Sequence, residues 1–337
     1  MGLIFKVIIE LSVIKRLNSV LKSLTSNSPL SVLFKFLIAA VLISFIIYTV
    51  NLNQIILAIK HADFRFIAFA LLLAILNLFL QYLKWSLACG EILQSRSRKK
   101  ILFSLFYGLA AGPFTPVRIG EYLGRSLEFQ DQSLLRVTTA TLIDKAFTLI
   151  PLTLFGSICS ILFIKHIYNI SSYIANSLFG LVIVLFLLLI LLVLNPEAWS
   201  SLISWRFKKS SRLNRIYAEI SILRSINKIF LLKMFLVSTA LYLCIIFQYA
   251  VLVTAFSQSG LFLDYLWAGS LVIFVKTIIP PISFADLGIR EGASVFFLKK
   301  FGQLGSIGFD AGISLFAINV LLPALIGVVL FLKKNND

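Results

Sequence analysis

Long apolar runs alternate with short polar stretches along this chain. Apolar runs of about 20 residues recur, and a helix of that length crosses a hydrocarbon core about 30 Å thick. The pattern predicts about six full transmembrane helices, over residues 31–50, 65–88, 137–164, 172–194, 234–256 and 307–332. The chain is therefore predicted to be an all-α polytopic membrane protein, with one integral membrane domain over residues 31–337.

The first 30 residues follow a different pattern. Apolar residues recur there at helical spacing, whereas Lys6, Arg16 and Lys22 fall largely elsewhere on the helical wheel. Residues 1–30 are predicted to form an amphipathic helix on the cytoplasmic membrane surface, ended by Pro29.

Two further apolar segments, 101–112 and 265–279, are too short to cross a bilayer. As a helix, the first would reach about 18 Å, a little over half of the hydrocarbon core. Both stop at paired prolines, which are Pro113 and Pro116 in the first segment and Pro280 and Pro281 in the second. Because proline removes a backbone donor and restricts the preceding residue, each segment is predicted to break into two half-helices.

Each break is followed by charged residues and glycines, which are Arg118, Gly120, Glu121 and Arg125 in the first segment and Asp286, Gly288, Arg290, Glu291 and Gly292 in the second. The i, i+3, i+7 spacing places Arg118, Glu121 and Arg125 on one helix face, where the surplus cation can bind an anion. Asp286 and Arg290 can pair at i, i+4, whereas Glu291 lies about 100° further round and needs another partner. The glycines are predicted to allow close backbone approach or positive φ.

Polar residues also interrupt two of the full spans. Asp144 and Lys145 are adjacent and do not face each other on a helix. Each is expected to meet a charge from an interrupted segment or from a substrate, the alternative being a snorkelling lysine beside a structural aspartate. Asn77, Gln81 and Lys84 form a stripe that we interpret as hydrogen bonding between helices.

Charge predicts the orientation and excludes one class of partner. The net charge of +17 would suit nucleic acid, but the basic residues cluster beside apolar spans, so no nucleic-acid partner is predicted. Most of them lie at the N-terminus, at residues 91–100, in the basic segment 195–233 and at the C-terminus. The positive-inside rule makes all four regions cytoplasmic, in a multi-pass protein of the cell (inner or plasma) membrane.

This orientation constrains the two interrupted segments. All four basic regions share one side only if residues 101–130 and 265–300 are re-entrant and insert from opposite faces, as in an inverted repeat. Lys299 and Lys300 would then lie outside, against the rule. The alternative makes both segments full, kinked spans.

The sequence contains no nucleotide-binding loop and no metal-binding motif. Its two histidines, His61 and His166, lie near span ends and suggest interfacial positions, and no histidine-based triad is plausible. No metal, cofactor or catalytic residue is predicted, and the protein is not expected to be an enzyme.

The interrupted segments resemble the lysylphosphatidylglycerol synthase transmembrane-region family, also described as flippase-like. Pro116-Val117-Arg118-Ile119-Gly120-Glu121 followed by Arg125 resembles its first signature, and Gly288-Ile289-Arg290-Glu291 its second. Asp144-Lys145 stands where the family tends to carry an acid–base pair, more usually Glu-Arg. The resemblance covers nearly the whole chain, and no synthase domain follows Lys334, so we expect a stand-alone member.

The resemblance implies a protein that binds and translocates a lipid between leaflets, namely an anionic or phosphate-bearing phospholipid or a polyprenyl-linked lipid. The candidate headgroup site consists of Arg118, Glu121, Arg125, Asp144, Lys145, Asp286, Arg290 and Glu291. The helix-break positions are Pro113, Pro116, Gly120, Pro280, Pro281, Gly288 and Gly292. One alternative is a membrane-embedded transferase acting on lipid-linked sugars or phospholipids. The other is a scaffold whose basic segment 195–233 recruits a cytosolic or membrane protein.

Overall fold

The computed structural model describes residues 62–115, 118–194, 227–257, 261–279 and 288–333. Its α-helices are α1 (Phe64–Leu93, with a π-helical last turn from Cys89), α2 (Arg98–Ala111), α3 (Ile119–Ser126), α4 (Leu134–Tyr168), α5 (Ser172–Leu194), α6 (Lys228–Ser257), α7 (Phe262–Ile278), α8 (Ile289–Lys300) and α9 (Gly305–Lys333, with a π-helical turn at Ala317–Leu321). The predicted surface helix at 1–30, the span at 31–50 and the basic segment as far as residue 226 lie outside the described residues.

Four helices, α1, α4, α6 and α9, are long and apolar enough to cross a membrane. The shortest of them has 29 residues, about 44 Å at 1.5 Å per residue, which exceeds a hydrocarbon core of about 30 Å. Residues Ser172–Leu188 of α5 form a shorter apolar helix. The outward faces of these five helices expose many leucine, isoleucine and phenylalanine side chains, which suit contact with lipid. The protein is a multi-pass helical membrane protein.

The helix pair α1 and α6 runs antiparallel through the centre of the bundle. Gln248 of α6 donates from Nε2 to the carbonyl oxygen of Ala70 in α1 at 2.9 Å, and the Asp63 N–H reaches the carbonyl of Ala255 at 3.0 Å. Gln248 also accepts a hydrogen bond from Asn319 of α9 at 2.7 Å. One buried amide therefore joins three helices.

This bridge yields a stability prediction. Gln248→Leu should lower the free energy of unfolding by about 1 kcal/mol, because Asn319 then loses its acceptor inside an apolar bundle. Adding Asn319→Leu should restore part of the loss, since both partners are then apolar. Chemical unfolding in bicelles measures both variants. A double variant less stable than Gln248→Leu would contradict the role of the bridge.

The first interrupted segment forms a tight helical hairpin of α2 and α3. A short 3₁₀ turn at Gly112–Phe114, containing Pro113, ends α2. The two helices then pack antiparallel with their backbones in contact. A Cβ atom at Gly120 would lie 2.3 Å from the Ala111 oxygen, and one at Gly124 would lie 2.4 Å from the Tyr107 oxygen. Glycine is therefore required at both positions, as the sequence predicted for Gly120.

The second interrupted segment pairs α7 with α8. Trp267 and Phe301 have ring centroids 5.3 Å apart, which places the start of α7 beside the end of α8. The break itself, including Pro280 and Pro281, lies outside the described residues. Gly288 precedes α8 with φ of 91°, the positive value that the sequence predicted. Gly292 has no positive φ, and no atom of the described residues lies within 4 Å of a Cβ atom built there, so the close approach predicted for it stays a prediction.

The two hairpins open toward opposite ends of the bundle. Both pack against α9, and the open end of each hairpin lies beside a different end of that helix. Hairpin α7–α8 runs directly into the start of α9 at Gly305. Helix α2 packs antiparallel to α9, since Tyr107 stacks edge-on against Phe331 at 5.4 Å and Ala110 clusters with Val328. The open end of hairpin α2–α3 is therefore at the C-terminal end of α9. A long helix, a hairpin and a long helix thus occur twice in the same order.

Candidate functional site

Five charged side chains meet where hairpin α2–α3 packs against α1 and α4. Arg125 of α3 is at their centre. Its Nη2 atom lies 2.7 Å from Glu121 Oε1, and its Nη1 atom lies 3.0 Å from Asp144 Oδ2. The i, i+4 spacing of Glu121 and Arg125 allows the first pair, and packing of α3 on α4 supplies the second.

Two lysines complete this charge cluster. The Lys145 Nζ atom lies 2.7 Å from Glu121 Oε1, and the Lys84 Nζ atom lies 3.3 Å from Asp144 Oδ1. Lys84 also donates to the Asp144 carbonyl oxygen and to the Thr148 hydroxyl. Asp144 and Lys145 therefore each meet a charge from the first interrupted segment, although they point to different partners.

Most of the charge cluster is buried. Lys84, Glu121, Arg125 and Asp144 are at most 4% exposed, whereas the side chain of Lys145 is 34% exposed. The Trp85 ring lies 4.2 Å from the Arg125 guanidinium carbon and covers it with a cation–π contact. The four buried members balance one another, with two cations and two anions, so the net charge of +1 for the whole cluster comes from the partly exposed Lys145. Burying charges in an apolar bundle is expensive even when they are paired, so such an arrangement marks a functional site by default.

Arg118 differs from its predicted placement. Helix α3 begins only at Ile119, and Arg118 precedes it with φ of 57°, in the left-handed region. It therefore does not share a helix face with Glu121 and Arg125. Its Nε atom is buried and has no hydrogen-bond partner among the described residues. A strained, non-glycine backbone that carries a cation is an arrangement often found at binding sites.

Arg290 and Glu291 form a second charged site at the start of α8. Both are buried, and the Arg290 guanidinium lies 5.7 Å from the Phe316 ring. Glu291 Oε2 accepts a hydrogen bond from the Gly288 N–H at 2.7 Å, so this carboxylate caps the N-terminus of its own helix, α8. The expectation that Glu291 needs a distant partner is therefore wrong for this oxygen. Its Oε1 atom is buried and lacks a hydrogen-bond partner within the described part of the chain.

The structure brings only part of the predicted site together. Ion pairs between described residues join the charge cluster internally, and none of them links it to Arg290 or Glu291. Asp286, Pro116, Pro280 and Pro281 lie outside the described residues, so the predicted Asp286–Arg290 pair cannot be described. Among the described residues, no group of three or more His, Cys, Asp or Glu side chains could hold a metal ion.

Sequence reasoning missed Lys84 as a site residue. The sequence predicts that Asn77, Gln81 and Lys84 form hydrogen bonds between helices. Gln81 bonds Asn77 within α1 at 2.6 Å, so the prediction is wrong for that pair. Lys84 does donate across to α4, but the predicted hydrogen bonding does not include its ion pair with the Asp144 carboxylate. The position of Lys84 gave a signal, because it lies nine residues before Leu93, about 14 Å inside the helix end. A lysine at that depth needs an anionic partner.

Fold and site together define a multi-pass helical membrane protein with a charge cluster buried beside a helical hairpin. Residues 32–327 match the family described as "Lysylphosphatidylglycerol synthase TM region". The chain belongs to this family, since the match covers most of its 337 residues. Comparison with curated proteins and with solved structures finds no match. Family membership points to a lipid-related function at the membrane.

Proposed function

We propose that the protein is a flippase-type lipid translocator that binds an anionic or phosphate-bearing headgroup at the charge cluster. The observation that carries the proposal is the surplus positive charge of the cluster, which lies on the partly exposed Lys145 beside four balanced charges buried in an apolar helix bundle. A phosphate would neutralise that surplus and accept charge-assisted hydrogen bonds from it. The family's relation to lipid-modifying membrane proteins supports a lipid as the source of the phosphate.

Two cations are placed to receive the headgroup. Lys145 is the most exposed member of the charge cluster, and Arg118 carries a buried Nε without a hydrogen-bond partner among the described residues. Glu121 and Asp144 hold the other cations in position while the site is empty. Arg125 bonds both carboxylates and so acts as a positioning residue rather than as the first contact.

Transport would use the doubled architecture. We propose that hairpins α2–α3 and α7–α8 are re-entrant in the bilayer and belong to an inverted repeat with cytoplasmic termini. Their opposite orientation in the bundle supports this arrangement. Rocking of one repeat against the other would expose the headgroup to each leaflet in turn. Arg290 would then supply a corresponding cation from the second hairpin.

Leaflet exchange of fluorescent phosphatidylglycerol in proteoliposomes tests the proposal. We expect exchange well above that of protein-free vesicles, and a fall of about tenfold or more in Arg118→Gln and Lys145→Gln, since each removes a headgroup cation. Lys100→Gln is the matched control, because Lys100 is exposed and its ion pair within the described part of the chain is with Asp131 at the surface, at 3.7 Å. Exchange that is unchanged in both site variants, or lowered equally in the control, would refute the site.

The proposal includes no chemical step. Glu121 Oε1 is held by both Arg125 and Lys145, which makes it a poor general base. Purified protein incubated with lipid should therefore leave the lipid masses unchanged in mass spectrometry. A new lipid product would favour the transferase alternative.

A further inference from the structure

A cavity of about 500 Å³ lies at the end of the bundle opposite the charge cluster. It is lined by Cys159, Leu162, Lys165, His166, Asn169 and Trp267. Its volume falls in the range of small-molecule sites. Lys165 lies about 32 Å along α4 from Asp144 at 1.5 Å per residue, which matches the thickness of a hydrocarbon core. Helix α4 therefore carries basic groups toward both membrane boundaries.

The lining of this cavity changes with depth. Cys159 and Leu162 lie deeper along α4, whereas Lys165, His166 and Asn169 lie nearer its end. Leu162 is 43% exposed, so the deep part borders the lipid-facing surface. A phospholipid has the same order of polarity, with its headgroup at the boundary and its chains toward the core.

The wall formed by Trp267 is fixed and offers no further donor. Its indole N–H donates to the Cys159 carbonyl oxygen at 3.0 Å. Its ring packs against Phe301 at 5.3 Å and against Phe163 at 6.4 Å between centroids. The polar capacity of the cavity therefore rests on the groups at the end of α4.

These groups have unused binding capacity. Within the described ranges, Lys165 and His166 form no ion pair and no hydrogen bond, and the His166 ring only contacts Trp267 at 6.0 Å. A further cation, Lys300, lies 5.4 Å over the Tyr168 ring at the same end. Basic residues in a last helical turn also complement the helix dipole, which is an alternative reason for Lys165 and His166 at this position. The dipole would explain their place on the helix, but it would not explain why they line a cavity that borders the lipid-facing surface.

We propose that this cavity binds the phosphate-bearing headgroup of an anionic lipid, in the leaflet opposite the charge cluster. Lys165 supplies the charge, His166 and Asn169 supply hydrogen-bond donors, and one acyl chain lies along Leu162. Binding is independent of transport. Only the role of the cavity as the second stop on a translocation path rests on the proposed function.

Native mass spectrometry of the purified chain, titrated with phosphatidylglycerol or with phosphatidylcholine of the same chains, tests the binding. The variant Lys165→Gln with His166→Gln should lose at least about fivefold in affinity for phosphatidylglycerol, the factor expected for one basic residue at an anionic surface. Affinity for phosphatidylcholine should not change. Arg65→Gln is the charge control, since Arg65 is exposed in the first turn of α1 at the same end.

A second variant fills the cavity without changing charge. Leu162→Trp should weaken phosphatidylglycerol binding by a similar factor. Leu149→Trp is its matched control, because Leu149 is 45% exposed on the same helix, about 20 Å away. Thermal unfolding of each variant checks that the fold is retained.

The outcomes distinguish a lipid headgroup from free phosphate as the ligand. They also distinguish lipid binding at this cavity from the proposed lipid transport. If inorganic phosphate binds as tightly as the lipid and Leu162→Trp has no effect, the site takes free anions and the assignment to a lipid is overturned. Unchanged binding in both cavity variants, or an equal loss in Arg65→Gln, overturns the site. Cavity-dependent binding in a protein that exchanges no lipid would refute the proposed function and leave this inference standing.

Discussion

Arg125→Leu is expected to destabilise the protein by about 3–5 kcal/mol, the largest effect that we predict for a single charged residue. The substitution removes both ion pairs of the guanidinium at once, to Glu121 at 2.7 Å and to Asp144 at 3.0 Å. Each carboxylate would keep a lysine partner, but the buried part of the cluster would then hold two carboxylates and one cation, Lys84. The packing of Trp85 on the guanidinium would be lost as well. Chemical unfolding in bicelles, with yield from membranes as a second readout, measures the change.

The control for this prediction is a pair on the surface. Lys100 and Asp131 are 3.7 Å apart with side chains 46% and 61% exposed. Lys100→Leu should therefore change stability by no more than about 1 kcal/mol. If Arg125→Leu were as mild as Lys100→Leu, the charge cluster would not hold hairpin α2–α3 against α4. The ion pairs of Arg125 would then make no measurable contribution to the free energy of unfolding.

The break that ends α2 could be predicted because its signals are local. Proline alone is not enough, since Pro151 lies inside α4 and Pro323 inside α9 without ending either helix. Pro113 follows an apolar run too short to cross a bilayer, and the two signals together predict the break. The length of an apolar run is also a local feature. Helix α4 extends three and four residues beyond its predicted bounds, whereas α6 begins six residues before its predicted start and ends one residue after its predicted end. The early start of α6 lies within the basic segment predicted at 195–233. The last residues of that segment, from Lys228 onward, join the apolar helix α6.

The partners of buried charges could not be predicted, because they depend on which helices become neighbours. Lys84 and Asp144 are 60 residues apart, and nothing in their local sequence records that α1 and α4 pack antiparallel. The error at Arg118 has another cause. Its predicted helix face assumed a regular helix from residue 118, whereas the helix begins one residue later. Helical spacing thus identified the charged residues of the first interrupted segment, but it could not show at which residue the helix begins.

Gly120→Ala is expected to cost at least about 3 kcal/mol, the upper end of the range for overpacking. The added Cβ would lie 2.3 Å from the Ala111 oxygen and 2.9 Å from Thr115 Cγ2. The closest of these atoms belongs to the backbone, which cannot turn aside as a side chain could. Helix α3 would have to move away from α2 and carry Glu121 with it. The ion pair to Lys145 would lengthen, so lipid exchange should fall together with stability.

Gly180→Ala provides the matched comparison in the same chain. Gly180 is inside α5, and no heavy atom of the described residues lies within 4 Å of a Cβ atom built there. Alanine is favoured over glycine inside a helix by about 1 kcal/mol, so this variant should equal or exceed the wild type in stability. Unfolding curves recorded side by side decide the matter. Equal stability of the two variants would mean that the backbones of α2 and α3 do not touch, and the hairpin that presents the charge cluster would lose its steric basis.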